Sequence, residues 1–486
     1  MDWFNLSDKT WESILCNLSD RNLLNASESC RKFNDLFSNS HRLIKLLSLK
    51  IEIPHEPSHI RTELAKENEI LKSLRELKLL GECLQKSERK YDSIIISNLR
   101  DHDEIVKCLY DAAFDILKQF AGSVNQLTFL NTSLLDDNFF EVMKTLKNLK
   151  VLKFEGRGCD RMNVISENER PDIVAEIDEI SIKEVFGFSF SKLYVFDNIT
   201  SLDVNDWWST DFGSFEHFLL LQKRLKVLNL RKLRDGLLFK TDKLASNIKF
   251  SLDVLSLNAV YWNDNENAMK FFRTQTNLKK VSLNLKNCWW IEYDDKNWYN
   301  ELLVHLFGNN QHLKTVFLST HEKYGYNIKD FSFLDGIVNS SVEDLTLDLD
   351  PAQNTTECIT AFIKLFPNLK NFTYTVNDED NHGLDQIHNW KSLKSLNCSL
   401  HMSKYAENIN FVEILTTCTI TSFNEQCKLP MIDFLNRHQN IRHLSIYSSY
   451  DNKISCEILV LIVNTLKSLK TLICDGQYCP LSKYLM

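Results

Sequence analysis

From about residue 124 onward one short pattern keeps returning: an apolar residue, two free positions, an apolar residue, one free position, an apolar residue. Leu149, Leu152 and Phe154 form one copy, and Leu225, Leu228 and Leu230 another. Leu278, Val281 and Leu283, then Val342, Leu345 and Leu347, then Ile441, Leu444 and Ile446 carry it on. Most steps between first apolar residues are 24 to 29 residues long, as from Leu225 to Leu252 to Leu278. The last two apolar positions alternate with polar ones, which is the period of a half-buried strand. The remainder of each step is long enough for a return segment, often helical. Cys358, Ile359, Phe362 and Ile363 make one such helical stripe, and Ile458, Leu459, Ile462 and Val463 another. A chain of this kind stacks one supersecondary unit on the next, and each unit buries its apolar side only against its neighbours.

That architecture removes the size limit on a single core, which 486 residues would otherwise exceed. Apolar content is 43% and charged content 25%, as in an ordinary water-soluble fold. The net charge of −8 disfavours a nucleic-acid role, which needs clustered Lys and Arg. The opening MDWFNLSDKTW lacks a basic segment followed by an apolar run, so a secretory signal is not expected. No membrane span is expected either. The 13 Cys show no CxxC pair and no zinc-finger spacing. Reduced structural thiols and a cytoplasmic or nuclear location follow as expectations. No GxGxxG, Walker-type loop, GxSxG or HExxH occurs, so no enzyme, no cofactor and no metal site are expected.

Three zones can be read. Residues 1–40 hold short helices: Ser7 and Asp8 can cap one carrying Ile14, Leu15 and Leu18, and Ser19 a second carrying Leu23, Leu24 and Ala26. A third contains Cys30, Phe33 and Leu36. Residues 41–90 read as a helical connector that begins with the turn-forming IEIPHEPSHI. Residues 91–486 hold the repeats, about fourteen by this count, starting with a strand at Tyr91, Ile94 and Ile96.

The repeat period and core pattern resemble those of leucine-rich repeats, and the first forty residues resemble an F-box. The F-box pattern matches Leu6, then Ile14, Leu15 and Leu18, then Leu23, Leu24 and Ala26, then Cys30, Arg31 and Phe33, with Leu36 after. Ser7 stands where the family has Pro, and Phe33 where Trp is frequent. The resemblance implies an α/β solenoid, a leucine-rich-repeat horseshoe of parallel strands and helices preceded by a small helical F-box. It also implies a non-catalytic substrate receptor of a cullin–RING ubiquitin ligase. Leu6, Ile14, Leu15, Leu18, Leu23, Leu24, Cys30, Phe33 and Leu36 would then bind the cullin adaptor, and the repeats would bind a protein substrate. The alternative is a leucine-rich-repeat scaffold or inhibitor with no ligase role.

The repeats depart from that family at the position five residues after the middle apolar one, where Asn or Cys usually forms a ladder. Here Arg157, Trp207, Leu233 and Lys286 stand there, so the ladder is expected to be missing. Aromatic pairs follow the strands of the repeats starting at Ile199, Leu252 and Leu278: Trp207 and Trp208, Tyr261 and Trp262, Trp289 and Trp290. Trp208, Trp262 and Trp290 are the expected outward members and candidate substrate anchors. Outward strand positions are mostly small and polar, with Asp344 and Asp348 as candidates for a basic substrate segment.

Overall fold

The computed structural model describes residues 48–52, 63–86, 90–97, 104–131, 136–156, 176–186, 188–207, 212–238, 242–262, 265–284, 297–319, 331–349, 355–376, 384–401, 414–423, 427–448, 454–475 and 477–479, with Lys9, Trp11, Leu15, Asp35, Leu36, Ser40 and Leu43 before them. The chain forms two compact units, residues 1–239 with 247–250, and residues 240–246 with 251–486.

In the first unit strand and helix alternate: β1 (Ser48–Glu52), α1 (Glu63–Lys86), β2 (Ser93–Ser97), α2 (Glu104–Gln119), β3 (Gln126–Leu130), α3 (Asp136–Thr145), β4 (Val151–Glu155), β5 (Glu179–Lys183), β6 (Ser201–Asn205), α4 (Phe212–Leu221) and β7 (Val227–Leu238). Each strand pairs in parallel with the next. The register lines up the middle apolar residue of every repeat: Leu49, Ile94, Leu127, Leu152, Ile180, Leu202 and Leu228 form one buried row. Parallel strands need a crossover connection, and here helices or short 3-10 turns supply it on one side of the sheet.

The second unit repeats the scheme with β8 (Val254–Trp262), α5 (Asn265–Thr274), β9 (Lys280–Asn284), α6 (Asn297–Asn309), β10 (Thr315–Ser319), β11 (Asp344–Leu349), α7 (Thr355–Leu365), β12 (Asn371–Val376), β13 (Ser395–His401), β14 (Leu415–Phe423), α8 (Lys428–Arg437), β15 (His443–Ser448), α9 (Cys456–Thr465), β16 (Thr471–Cys474) and β17 (Gln477–Tyr478). All these neighbours are parallel except β17, which folds back antiparallel on β16 and covers the last edge. Each unit is a leucine-rich-repeat solenoid.

Two strands escaped the sequence reading. The sheet begins at β1, inside the stretch expected to be a helical connector, and not at Tyr91. Leu46, Leu49 and Ile51 carry the repeat spacing, Leu49 and Ile51 are buried, and Lys50 between them faces out. The prolines just downstream end that strand and masked it as a turn. The second is β14, where Leu415, Cys418 and Ile420 are buried at the same spacing. Cys in the middle slot and Thr at the alternate positions hide it from a search for leucines.

Gly81 on α1 shows how tightly the helical layer is packed. A methyl group there would sit 3.3 Å from Ile116 Cγ1 of α2, so the missing side chain lets the two helices close. Each repeat is also tied to the next by one carbonyl that receives two N–H groups. Asn125 O accepts from Lys150 N and Val151 N, Lys150 O from Asp178 N and Glu179 N, and Lys314 O from Glu343 N and Asp344 N.

Candidate protein interface

The missing loop ladder is replaced at the other end of the repeat. Three residues before the first apolar position, at the end of the helix, stand Gln222, Gln275, Asn310, Asn339, Trp390 and His438. The four amides and His438 are fully buried, and Trp390 is nearly so. Gln222 Oε1 accepts from Ile199 N at 3.2 Å, and its Nε2 donates to Phe196 O and Phe218 O at 3.0 Å. Gln275 Oε1 accepts from Leu252 N at 2.9 Å, and Asn310 Oδ1 from Leu278 N at 2.8 Å. Asn339 Nδ2 donates to Phe307 O and Asn310 O, and Trp390 Nε1 donates to Phe366 O at 2.9 Å. Each side chain thus satisfies backbone groups at the end of a helix or in the preceding repeat, where no regular partner exists. On the strand side, the chain leaves the sheet through left-handed backbone at Asn131, Gly156, Glu184 and Asp206, whose N–H groups bond the next repeat. Gly156 belongs there on two counts. Its φ is +89°, and a Cβ would overlap the Asn131 amide.

Of the aromatic pairs, the structure places Trp207, and it is core. It is fully buried, its Nε1 donates to Phe188 O at 3.2 Å, and it meets Phe190 edge-on with ring centres 5.0 Å apart. Phe154, Phe188, Phe215 and Phe218 complete the cluster. The inward reading of Trp207 is therefore correct. Its outward neighbour Trp208 lies outside the described residues, as do Trp289 and Trp290, and the side chains of Tyr261 and Trp262 at the end of β8 are not described.

With buried residues pointing into each solenoid, the alternate residues form its open face. In the second unit the central row of that face reads Ser256, Ser282, Phe317, Thr346, Thr373 and Asn397, each in register with the next. Asp344 and Asp348 stand on this same face of β11, four residues and so about 13 Å apart along the strand. Both are half-buried. Asp344 accepts from Asn371 Nδ2 at 2.6 Å and Thr315 Oγ1 at 3.4 Å, and Asp348 accepts from Ser319 Oγ at 3.1 Å. These neighbours hold the carboxylates in fixed rotamers without neutralising them. The first unit's face carries charges of both signs, such as Arg231 of β7 paired with Asp203 of β6 at 2.8 Å. Just before β4, Lys150 Nζ lies 3.5 Å from Glu176 and 3.9 Å from Asp178.

Among the described residues, no group of three or more His, Cys, Asp or Glu is placed to hold a metal ion, and no helix is long and apolar enough to cross a membrane. Nine described cysteines are free thiols. Burial pushes the Cys358 thiol well up, and a hydrogen bond with Cys398, with burial added, does the same to Cys418. Such groups are poor nucleophiles and act as small apolar side chains.

In the N-terminal zone Leu15, Leu36 and Leu43 are buried. Their apolar area is already covered within the chain, so Leu15 and Leu36 add packing to this zone and little new area to a contact. Leu6, Ile14, Leu18, Leu23, Leu24, Cys30 and Phe33 lie outside the described residues.

A family model for the F-box domain matches residues 3–45. No curated protein is a significant match. Among solved structures, the mouse RP105/MD-1 complex is similar at 17% identity and a TM-score of 0.39, over 72% of this chain and 59% of that one. The TLR13–ssRNA13 complex is similar at 14% identity and a TM-score of 0.39, over 78% of this chain and 57% of that one. The chain therefore spans less than two thirds of either neighbour. The chain thus carries an F-box match at residues 3–45 ahead of stacked leucine-rich repeats.

Proposed function

We propose that the chain is the substrate-recognition subunit of a ubiquitin ligase of the SCF type. In this reading the F-box docks the cullin adaptor, and the open strand faces of the repeats hold a protein substrate. The observation that carries it is the F-box match at residues 3–45 ahead of a sheet whose outward side chains are ready-made hydrogen-bond donors and acceptors. The chain does no chemistry of its own. It raises the local concentration of substrate lysines near a charged conjugating enzyme, which turns a bimolecular encounter into an intramolecular one. The free thiols among the described residues suit a reducing compartment such as the cytosol or nucleus.

The substrate face of the second unit suits a polar, extended or loop-borne segment. Asp344 and Asp348 supply two fixed negative points for Lys or Arg on that segment. Trp208, Trp262 and Trp290 remain proposed anchors for a substrate.

The test is co-purification. Replacing Leu6, Ile14 and Phe33 together with polar residues should abolish capture of the cullin adaptor, because each lost apolar anchor costs on the order of 2 kcal/mol. The repeats should keep their circular dichroism and melting temperature. Undiminished adaptor capture by that folded variant removes the ligase assignment.

A further inference from the structure

The helix-to-strand connectors of three successive repeats in the second unit build a cleft of about 430 Å³. It lies beside the first residues of β11, β12 and β13, with Glu343, Asn368, Lys370, Lys391, Ser392 and Lys394 among its walls. We propose that this cleft is a binding site for an acidic peptide segment, separate from the outward strand face.

Its charge is opposite to that of the molecule. Three lysines against one glutamate give 3 − 1 = +2 in the cleft, on a chain whose net charge is −8. Lys391 and Lys394 are exposed, and among the described residues no ion pair engages either. Glu343 does not block the site. It is clamped between Lys370 at 2.6 Å and Lys314 at 3.0 Å, and those two ammonium groups hold its carboxyl below the usual range. Its role is to fix the Lys370 stem at the mouth of the cleft.

The end of α7 would ordinarily present carbonyl oxygens here, which repel anions. They are turned inward instead. Leu365 O accepts from Asn339 N, Phe366 O from Trp390 Nε1, and Pro367 O and Leu369 O both accept from Ser392 Oγ at 2.8 Å. With those carbonyls engaged, Lys370, Lys391 and Lys394 supply the charge of the lining beside Ser340, Asn368, Ser392 and Leu393. Adjacent strands are about 4.8 Å apart, so three repeats span roughly 10 Å, enough for two or three residues of extended chain. Lysine offers a compact charge without the planar fork that fits one phosphate, so successive carboxylates in varied orientations match it better.

The probe is fluorescein-labelled hexaglutamate, titrated with the full-length chain at low salt and read by anisotropy. We expect saturable binding that weakens about tenfold or more in K391E/K394E. The charge-matched variant K78E/K86E on α1 should bind as the wild type does. Failure of the wild type to bind, unchanged binding in K391E/K394E, or equal loss in both variants would each overturn the proposal. So would displacement of the peptide by an equal concentration of inorganic phosphate, since that marks a small-anion site. Should K391E/K394E melt early, K391Q/K394Q provides the same comparison with a smaller loss expected.

Discussion

The two units use the same buried rows and opposite outward chemistry. Down the centre of the first unit's open face run Lys50, Ile95, Thr128, Lys153, Ser181, Asp203 and Asn229. The second unit has Ser256, Ser282, Phe317, Thr346, Thr373 and Asn397 in the same places. The first row mixes charges and an aliphatic with hydroxyls and an amide; the second is hydroxyl, amide and one phenyl ring, flanked on β11 by Asp344 and Asp348. Their interiors differ too. Aromatic rings gather around Trp207 in the first unit and around Phe307, Phe362 and Phe366 in the second, but five of the six side chains at the helix-end polar position, all but Gln222, belong to the second. Inward positions answer to stacking alone, so they converge. Outward positions have no structural duty beyond solubility, so their divergence is where partner choice can reside.

The aromatic interior should show the largest single effect. Trp207→Ala removes a ring that touches Phe190 and Phe215, and leaves a cavity the neighbouring repeats cannot close. We expect a loss of about 3–5 kcal/mol in urea unfolding. Hydrogen exchange should rise first in β5 to β7, with β11 and β12 protected as before. Equal exchange in both units would mean that they unfold together and that the contrast has no energetic content.

Next comes the helix-end ladder. Asn310→Ala strands the buried Leu278 N–H, for an expected cost of about 1–3 kcal/mol. Asn310→Asp keeps an acceptor for that N–H but loses the Nδ2 donation to Leu306 O and buries a charge, so it should be worse than Ala. If Ala is the more damaging, the amide serves mainly to fill space.

That ladder also marks the limit of what the residues disclosed in advance. The buried Leu and Ile rows were legible because a period of two within a step of about 27 has no helical reading, as Leu225 to Leu252 shows. Gln222, Gln275, Asn310 and Asn339 recur three residues before the first apolar position, yet a lone amide at a helix end reads as solvated until a neighbour is stacked over it. Strand β1 was missed because the prolines that follow it in the sequence read as a turn, and β14 because Cys418 takes the slot where a leucine is expected. Asp344 and Asp348 were placed on one face correctly because alternation fixes the side of a strand. The inward turn of Trp207 was readable only as one of two options, since the corner after β6 passes through left-handed backbone at Asp206.

A third contrast is pH sensitivity, which should belong to the second unit. His438 Nδ1 donates to Phe434 O at 2.7 Å, and the ring stacks on Phe434. His305 Nε2 donates to Phe272 O, while Nδ1 accepts from Asn309 Nδ2. Acceptance at Nδ1 requires a neutral His305 ring, and burial lowers both pKa values from the ordinary 6.5. With the native value depressed, the unfolded chain binds the proton first as pH falls through 6.5. Stability is thus full above that point and is lost below it, toward the native pKa. The melting temperature should drop as pH falls from about 7.5 to about 5.5, roughly one unit either side of the ordinary His value. His438→Asn keeps a donor for Phe434 O and cannot titrate, so it should flatten this dependence. An unchanged slope would assign the effect to other groups.

The smallest effect should come from the charged face of the first unit. Arg231 reaches both oxygens of Asp203, at 3.1 and 2.8 Å, an arrangement that looks strong. The pair is also wet, with Arg231 44% and Asp203 28% exposed. Water screens the attraction, and ordering the long arginine costs entropy. Arg231→Ala should therefore change stability by only about 0.2–1 kcal/mol, and less as salt is added. Double-mutant analysis with Asp203→Ala isolates the pair from any packing of the arginine stem. A coupling energy that survives molar salt would show that this face is organised as rigidly as the interior. In that event the mixed charges of the first unit would be structure rather than a surface left free for partners.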